Sequence, residues 1–164
     1  MTEAQQKQIF DHWLEEHKGI LFKVIRSYAQ QAADQEDLFQ EIALQVWRSV
    51  PGFKQNAAVS TWLYRIALNQ AIKWSLKSRK AEEQHGDEEL HRVLRPQEEV
   101  PDERLIWLYE QIQKLEAVDR SLCLLLLDGY SYKEMASIVG ISENYVGVKI
   151  NRVKKHLTEQ SKKM

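Results

Sequence analysis

Residues 131–157 read SYKEMASIVGISENYVGVKINRVKKHL, and their types and spacing suit contact with a nucleic-acid duplex. Glu143, Asn144 and Lys149 carry donors and acceptors of the kind that match base edges. Arg152 and Lys155 lie three apart, so on a helix they share one edge and can reach one phosphate strand. Such side chains need an apolar back to dock them, and Val146, Ile150, Val153 and Leu157 recur at steps of four, three and four. Ser142 is placed to cap that helix, and Gly140 permits a tight turn before it. Ile141 is expected to plug the core, and the preceding helix to bury Met135, Ala136 and Val139. The pattern predicts a helix-turn-helix, whose second helix enters the major groove. On these residues alone, an ordinary helical hairpin with a solvated basic face remains the alternative.

Two further sets stand upstream. Arg65, Asn69, Lys73, Lys77 and Lys80 form a polar, basic stripe with Trp62 and Ile66 beside it. Cations hold phosphates and an aromatic ring stacks exposed bases, so this stripe suits separated DNA strands. Trp62 suits a core position equally well, and Tyr64 points inward with Leu63, Ala67, Ala71 and Trp74. In the helix before it, Asp37, Gln40, Glu41, Leu44 and Arg48 share the face opposite a buried stripe of Leu38, Phe39, Ile42, Val46 and Val50. An acidic face with a leucine in it fits a protein-docking surface with a polar rim. A merely solvated face with one exposed leucine is the other reading.

The elements that must position these side chains are all helical. Glycine (6) and proline (3) are scarce, and strand-like alternation is absent. Ile9, Phe10, Trp13, His17, Leu21, Val24, Ile25 and Tyr28 recur at three and four, as one amphipathic helix or a pair broken near Gly19. Asp34 is expected to cap the next helix, which Pro51–Gly52 ends. A third helix starts near Ser60 or Thr61 and runs to about Lys80. Residues 81–104 change character, with 9 Asp/Glu against 3 Lys/Arg and two prolines, and read as an extended or partly disordered linker. Helices then follow around Leu105–Leu108–Ile112–Leu115, over 122–127, over 132–139 and from Ser142 to about Gln160. The expected architecture is all-α, with two small helical domains, 1–80 and 105–164, joined by an acidic linker.

The total charge of −1 conceals a division. Residues 1–80 carry net +3, the linker −6 and residues 105–164 net +2. Two mildly basic segments flank an acidic one, and local basic faces matter more for DNA than the sum. The histidines (12, 17, 85, 91 and 156) show no metal-ligand spacing, and no phosphate loop or nucleophile–base set is present, so neither an enzyme nor a metal or cofactor is expected. Cys123 has no partner, which excludes a disulfide within the chain and favours a reducing compartment. No apolar run approaches the length of a membrane span, and MTEAQQKQIF lacks the pattern of a secretory signal. A cytoplasmic protein without membrane insertion is expected.

Asp-Gln-Glu-Asp-Leu-Phe-Gln-Glu (34–41), Val46-Trp47, Ser60-Thr61-Trp62-Leu63-Tyr64-Arg65-Ile66-Ala67 and Asn69 closely resemble region two of extracytoplasmic-function sigma factors. Residues 115–157, through Asp128-Gly129-Tyr130-Ser131-Tyr132, resemble their region four. The resemblance implies a protein that binds core RNA polymerase and directs it to promoters. It places Asp37, Leu38, Gln40, Glu41, Leu44 and Arg48 against the clamp of the largest subunit. It places Trp62, Arg65, Asn69, Lys73, Lys77 and Lys80 at the minus-ten element, and Glu143, Asn144, Lys149, Arg152 and Lys155 at the minus-thirty-five element. It also implies an anti-sigma factor as a partner. Two residues depart from the family pattern: Lys73 stands where an aspartate is common, and Gly147 where a basic residue is common. The competing function is a stand-alone helix-turn-helix regulator, which leaves residues 34–47 and 62–69 unexplained.

Overall fold

The computed structural model describes the backbone of residues 1–85 and 102–163, and the side chains of 1–77 and 102–163. The expected linker is therefore described only at its ends: residues 81–85 continue a helix, and 86–101 lie outside the described residues. The described helices form two compact units, with no strand among the described residues.

The first unit contains α1 (Glu3–Glu16), α2 (Lys18–Tyr28), α3 (Ala32–Ser49), a 3-10 turn (Val50–Gly52) and α4 (Val59–His85). Thr2 caps α1 in a reciprocal arrangement with Gln5, which satisfies two backbone donors at the helix start. The break between the first two helices falls at His17, and Gly19 lies inside α2. α3 begins earlier than expected. Gln31 occupies the cap position, so Asp34 is not the N-cap and lies in the first turn. Ala32 and Ala33 are strong helix formers and extend the helix backward, leaving the Asp34 carboxylate where the helix dipole still favours it.

α2 and α3 both pack on α4. Leu21, Val24, Ile25 and Tyr28 from α2 meet Leu38, Ile42 and Val46 from α3 in a core with Leu63, Tyr64, Ala67, Leu68, Ala71 and Trp74. Aromatic contacts close one end. Phe10 meets Trp47 edge-on at 5.4 Å, and Phe53 lies between Trp13 at 5.2 Å and Trp62 at 5.4 Å. The Trp62 indole N–H donates to Ser49 Oγ at 3.1 Å, which holds the corner after α3 against the start of α4.

The second unit contains α5 (Glu103–Gln113), α6 (Ala117–Leu127), α7 (Tyr132–Val139) and α8 (Glu143–Ser161). Asp102 caps α5 by accepting from the Arg104 N–H at 2.9 Å, so this helix starts within the stretch expected to be linker. Arg120 closes the other end of α5, donating from Nη2 to the carbonyls of Gln113 and Leu115, both at 2.8 Å. Leu122, Cys123, Leu124 and Leu125 of α6 are buried with Ile112, Met135, Ile138, Val146, Ile150 and Val153.

Burial pushes the Cys123 thiol up to about 12, and the nearby Asp119 carboxylate adds to the rise. The reactive thiolate is thus scarce at neutral pH. Iodoacetamide at pH 8 is expected to leave native Cys123 unlabelled and to label it readily in urea. Equal labelling rates in the two states would contradict this placement.

Candidate nucleic-acid and partner interfaces

α7 and α8 form the expected helix-turn-helix. Ser131 and Glu134 make a capping box, and the Ser131 N–H and hydroxyl hold the Glu134 carboxyl below its ordinary range. α7 ends at Gly140, whose φ of 84° lies in the left-handed region that favours glycine. Ser142 then caps α8 by accepting from the Tyr145 N–H at 3.1 Å. The interior differs in detail. α7 buries Met135 and Ile138, whereas Ala136 and Val139 are half-buried, and so is Ile141. The inward face of α7 is thus centred one residue from the expected position. On α8, Val146, Ile150 and Val153 are buried and Leu157 is half-buried at the end of the same stripe.

Of the residues expected to read bases, Lys149 is a correction. Its side chain is 13% exposed, and Nζ donates to Asp119 Oδ1 of α6 at 2.9 Å. That hydrogen bond raises the ammonium pKa, against a smaller opposing effect of burial. The Lys149 ammonium also lies 5.2 Å from the centre of the Tyr145 ring. A cation held this way binds α8 to α6 and is not presented to a DNA groove. Glu143, Asn144, Arg152 and Lys155 are exposed. Gly147 lies beside α7: a Cβ there would meet the Tyr132 ring at 3.7 Å, an ordinary contact. Two exposed apolar residues on α8 escaped the sequence reading, Tyr145 and Val148, 46% and 45% exposed.

On α4, Leu63, Ala67, Ala71 and Trp74 face inward as expected, joined by Tyr64 and Leu68. Lys73 and Lys77 are exposed, while Arg65 and Asn69 are half-buried. Lys80 belongs to α4, but its side chain lies outside the described residues. Trp62 is half-buried, with its N–H on Ser49 and its ring on Phe53, so the indole is first an anchor for the corner. Leu76 lies on the same stripe, 56% exposed between Lys73 and Lys77. Its position, three residues after Lys73 and seven after Asn69, was the available signal.

On α3, Asp37, Gln40, Leu44 and Arg48 are exposed and Glu41 is half-buried. Leu38 does not join them. It is fully buried, because the stripe Leu38–Ile42–Val46 faces α2 and α4, so its side chain cannot meet a partner. Asp37 also ties two helices together, since its Oδ2 accepts the Trp74 indole N–H of α4 at 3.2 Å. Among the described residues, no group of three or more His, Cys, Asp or Glu side chains is arranged to hold a metal ion. No described helix is long and apolar enough to cross a membrane.

Two family models match the chain: Sigma-70 region 2 over residues 13–81, and Sigma-70, region 4 over 105–157. The ECF RNA polymerase sigma factor SigM of Mycobacterium tuberculosis is 26% identical over 155 residues, which cover 94% of this chain and 78% of that protein. The ECF RNA polymerase sigma-E factor of Escherichia coli is 27% identical over 136 residues, covering 75% of this chain and 71% of its own. Among solved structures, the sigma factor RpoE from Bartonella quintana, in complex with the anti-sigma factor NepR, is similar in fold with a TM-score of 0.75. That match has 21% identity and covers 94% of this chain and 98% of the other. CnrH, in complex with the cytosolic domain of CnrY, gives a TM-score of 0.66 at 21% identity, covering 97% and 94%.

Proposed function

Since the chain belongs to the sigma-70 family, as a sigma factor of the extracytoplasmic-function type that directs promoter-specific transcription initiation, we propose how its surfaces divide that work. The exposed face of α3, with Gln40, Leu44 and Arg48 and the rim carboxylates of Asp37 and Glu41, docks on the polymerase clamp. The α4 stripe of Arg65, Asn69, Lys73 and Lys77, with Leu76 among them, contacts the minus-ten element as its strands separate. The outward face of α8 reads the minus-thirty-five element. The chain acts by binding, in the cytoplasm, and carries out no reaction of its own. The observation that carries this division is the order of the faces. An apolar-centred face and a basic stripe lie in the unit matched by region 2, and a helix-turn-helix lies in the unit matched by region 4.

An anti-sigma factor is a further proposed partner, supported by the similar sigma factor solved in complex with the anti-sigma factor NepR. In the second unit, Leu108, Ile112, Leu126, Leu127 and Leu157 line an apolar depression, with Leu127 45% exposed at its edge. That surface offers a protein partner apolar contact away from the DNA-reading face.

The test is run-off transcription from a genomic promoter library with purified core polymerase, with and without this chain. Defined start sites that need both components support the reading. Sequence-specific DNA binding by the chain alone, without any effect on core polymerase, would favour a stand-alone regulator. Within that assay, the double substitution Lys73→Ala, Lys77→Ala is expected to reduce permanganate-reactive open complex more than core binding. It should also lower the salt slope of promoter binding by about 2, one for each lost phosphate contact. Equal loss of core binding and opening would assign the stripe to the polymerase interface instead.

A further inference from the structure

Lys149 and Asp119 form an ion pair that spans thirty residues of sequence and joins α8 to the first turn of α6. The pair lies near the surface of the second unit, with side chains 13% and 21% exposed. Salt screens so sheltered a pair much less than one in open solvent. Asp119 is well placed to hold its partner. Its carboxylate sits in the first turn of α6, where the helix dipole favours it, and the next residue, Arg120, fastens that turn to the end of α5. Lys149 in turn stands beside open surface. Tyr145, four residues before it, is 46% exposed, and Arg152, three residues after it, is exposed. Residues three and four apart are neighbours on a helix. A Lys149 side chain freed from Asp119 would swing out between them on its flexible four-carbon stem. There it would head a slanted row with Arg152 and Lys155, at steps of three.

On the reading of α8 as the helix that lies against promoter DNA, we propose that Asp119 is a positioning residue that sets how tightly the second unit holds DNA. Its carboxylate takes the place of a phosphate. It neutralises Lys149 within the protein and keeps that cation off the duplex. A lysine that meets a phosphate releases a counterion and strengthens binding to any sequence, and the gain falls as salt rises. A lysine already paired with a carboxylate brings no free charge to that exchange. Of the α8 cations, Arg152, Lys154 and Lys155 are exposed, and Lys149 is withheld. The unit therefore grips the DNA backbone by fewer contacts than the sequence of α8 offers, and the sequence-independent part of its affinity stays low. A weaker hold of that kind leaves less of the protein on non-promoter sites, which far outnumber promoters.

The experiment uses holoenzyme assembled from core polymerase and the full chain, bound to a promoter duplex at several salt concentrations. Asp119→Ala should steepen the salt slope by about 1, so that over a fourfold rise in salt its affinity falls roughly threefold to fourfold more than that of wild type. The double substitution Asp119→Ala, Lys149→Gln has the net charge of wild type and should return to its slope. Glu110→Gln, at an exposed position of α5, adds the same charge as Asp119→Ala and should leave the slope unchanged. Asp119→Asn keeps the side-chain shape and one acceptor oxygen, and should show the same effect in smaller measure even if the alanine variant folds poorly. The inference is overturned, with α8 still on DNA, by an unchanged slope in both Asp119 variants. It is overturned equally by a rise that survives in the double variant, or by the same rise in Glu110→Gln. A loss of affinity at constant slope would make the pair a structural tie only and overturns it too. Lys155→Ala tests the premise separately, since losing an exposed lysine should make the slope shallower by about 1. If it changes nothing, the assignment of α8 to DNA fails, and the inference with it.

Discussion

Leu44→Asp should weaken binding to core RNA polymerase by about 2–4 kcal/mol. Leu44 is 47% exposed on α3, one turn from Gln40 on one side and Arg48 on the other. With about half of the side chain already covered, moving the rest from water into an interface contributes about 0.7–1.5 kcal/mol, half of the full-burial value. Placing an unpaired carboxylate in the same position adds the cost of desolvating it, at least about 1–3 kcal/mol. Leu44→Ala should show only the first effect. Because the side chain faces solvent in the free protein, neither change should disturb helical content, which circular dichroism would verify. Competition against a labelled sigma factor for limiting core polymerase measures the affinity. Unchanged competition by the aspartate variant would remove this face from the interface. The substitution is a cleaner probe than reversal of Asp37, because Asp37 also accepts the Trp74 N–H and its loss would perturb the α3–α4 contact.

Leu38→Ala should act through stability alone, destabilising the first unit by about 2–5 kcal/mol, the usual range for truncating a fully buried leucine. Leu38 is completely buried beneath α2 and α4. Four of the five tryptophans, Trp13, Trp47, Trp62 and Trp74, belong to the first unit, and Trp107 belongs to the second. Urea titration followed by tryptophan fluorescence should therefore show an early loss of most of the signal. Under conditions where the variant is folded, its affinity for core polymerase should match wild type. A loss of affinity with no loss of stability would mean that this side chain reaches the polymerase after all.

The contrast between these neighbours shows what was legible in the sequence. Where chemistry is local, the residues announce the structure. Ser142 caps α8 three residues from its donor, and Gly140 takes the left-handed conformation that ends α7. The buried stripes of α3, α4 and α8 follow from helical spacing alone. Leu38 belongs to such a stripe, and the periodicity that buries it outweighs its place in a family motif. Where the partner is distant along the chain, the residues give no such sign. Lys149 resembles any outward lysine of a recognition helix until Asp119, thirty residues earlier, is seen to hold it. The Trp74–Asp37 bond spans thirty-seven residues, and the Trp62–Ser49 bond links two different elements. Asp34 failed for another reason: an eligible cap residue followed two alanines that prefer to be helical. Val148 and Leu76 give no sign in the sequence, because an apolar residue that a helix turns outward has the same type as one turned inward.

The two faces of α8 also bear on how such a protein can diverge. Residues that fix the helix against α6 and α7 lie on the side of α8 opposite Asn144, Val148 and Asn151, so a change at 144, 148 or 151 alters neither the core nor the caps. Effects at such separated positions combine nearly additively. With α8 as the proposed promoter reader, a duplicated copy of this sigma factor would change its target genes through substitutions on that outward face. It keeps its fold and its docking on polymerase throughout. Insulated pairs of sigma factor and promoter, sought by exchanging outward residues of α8, would be the engineering counterpart of that freedom.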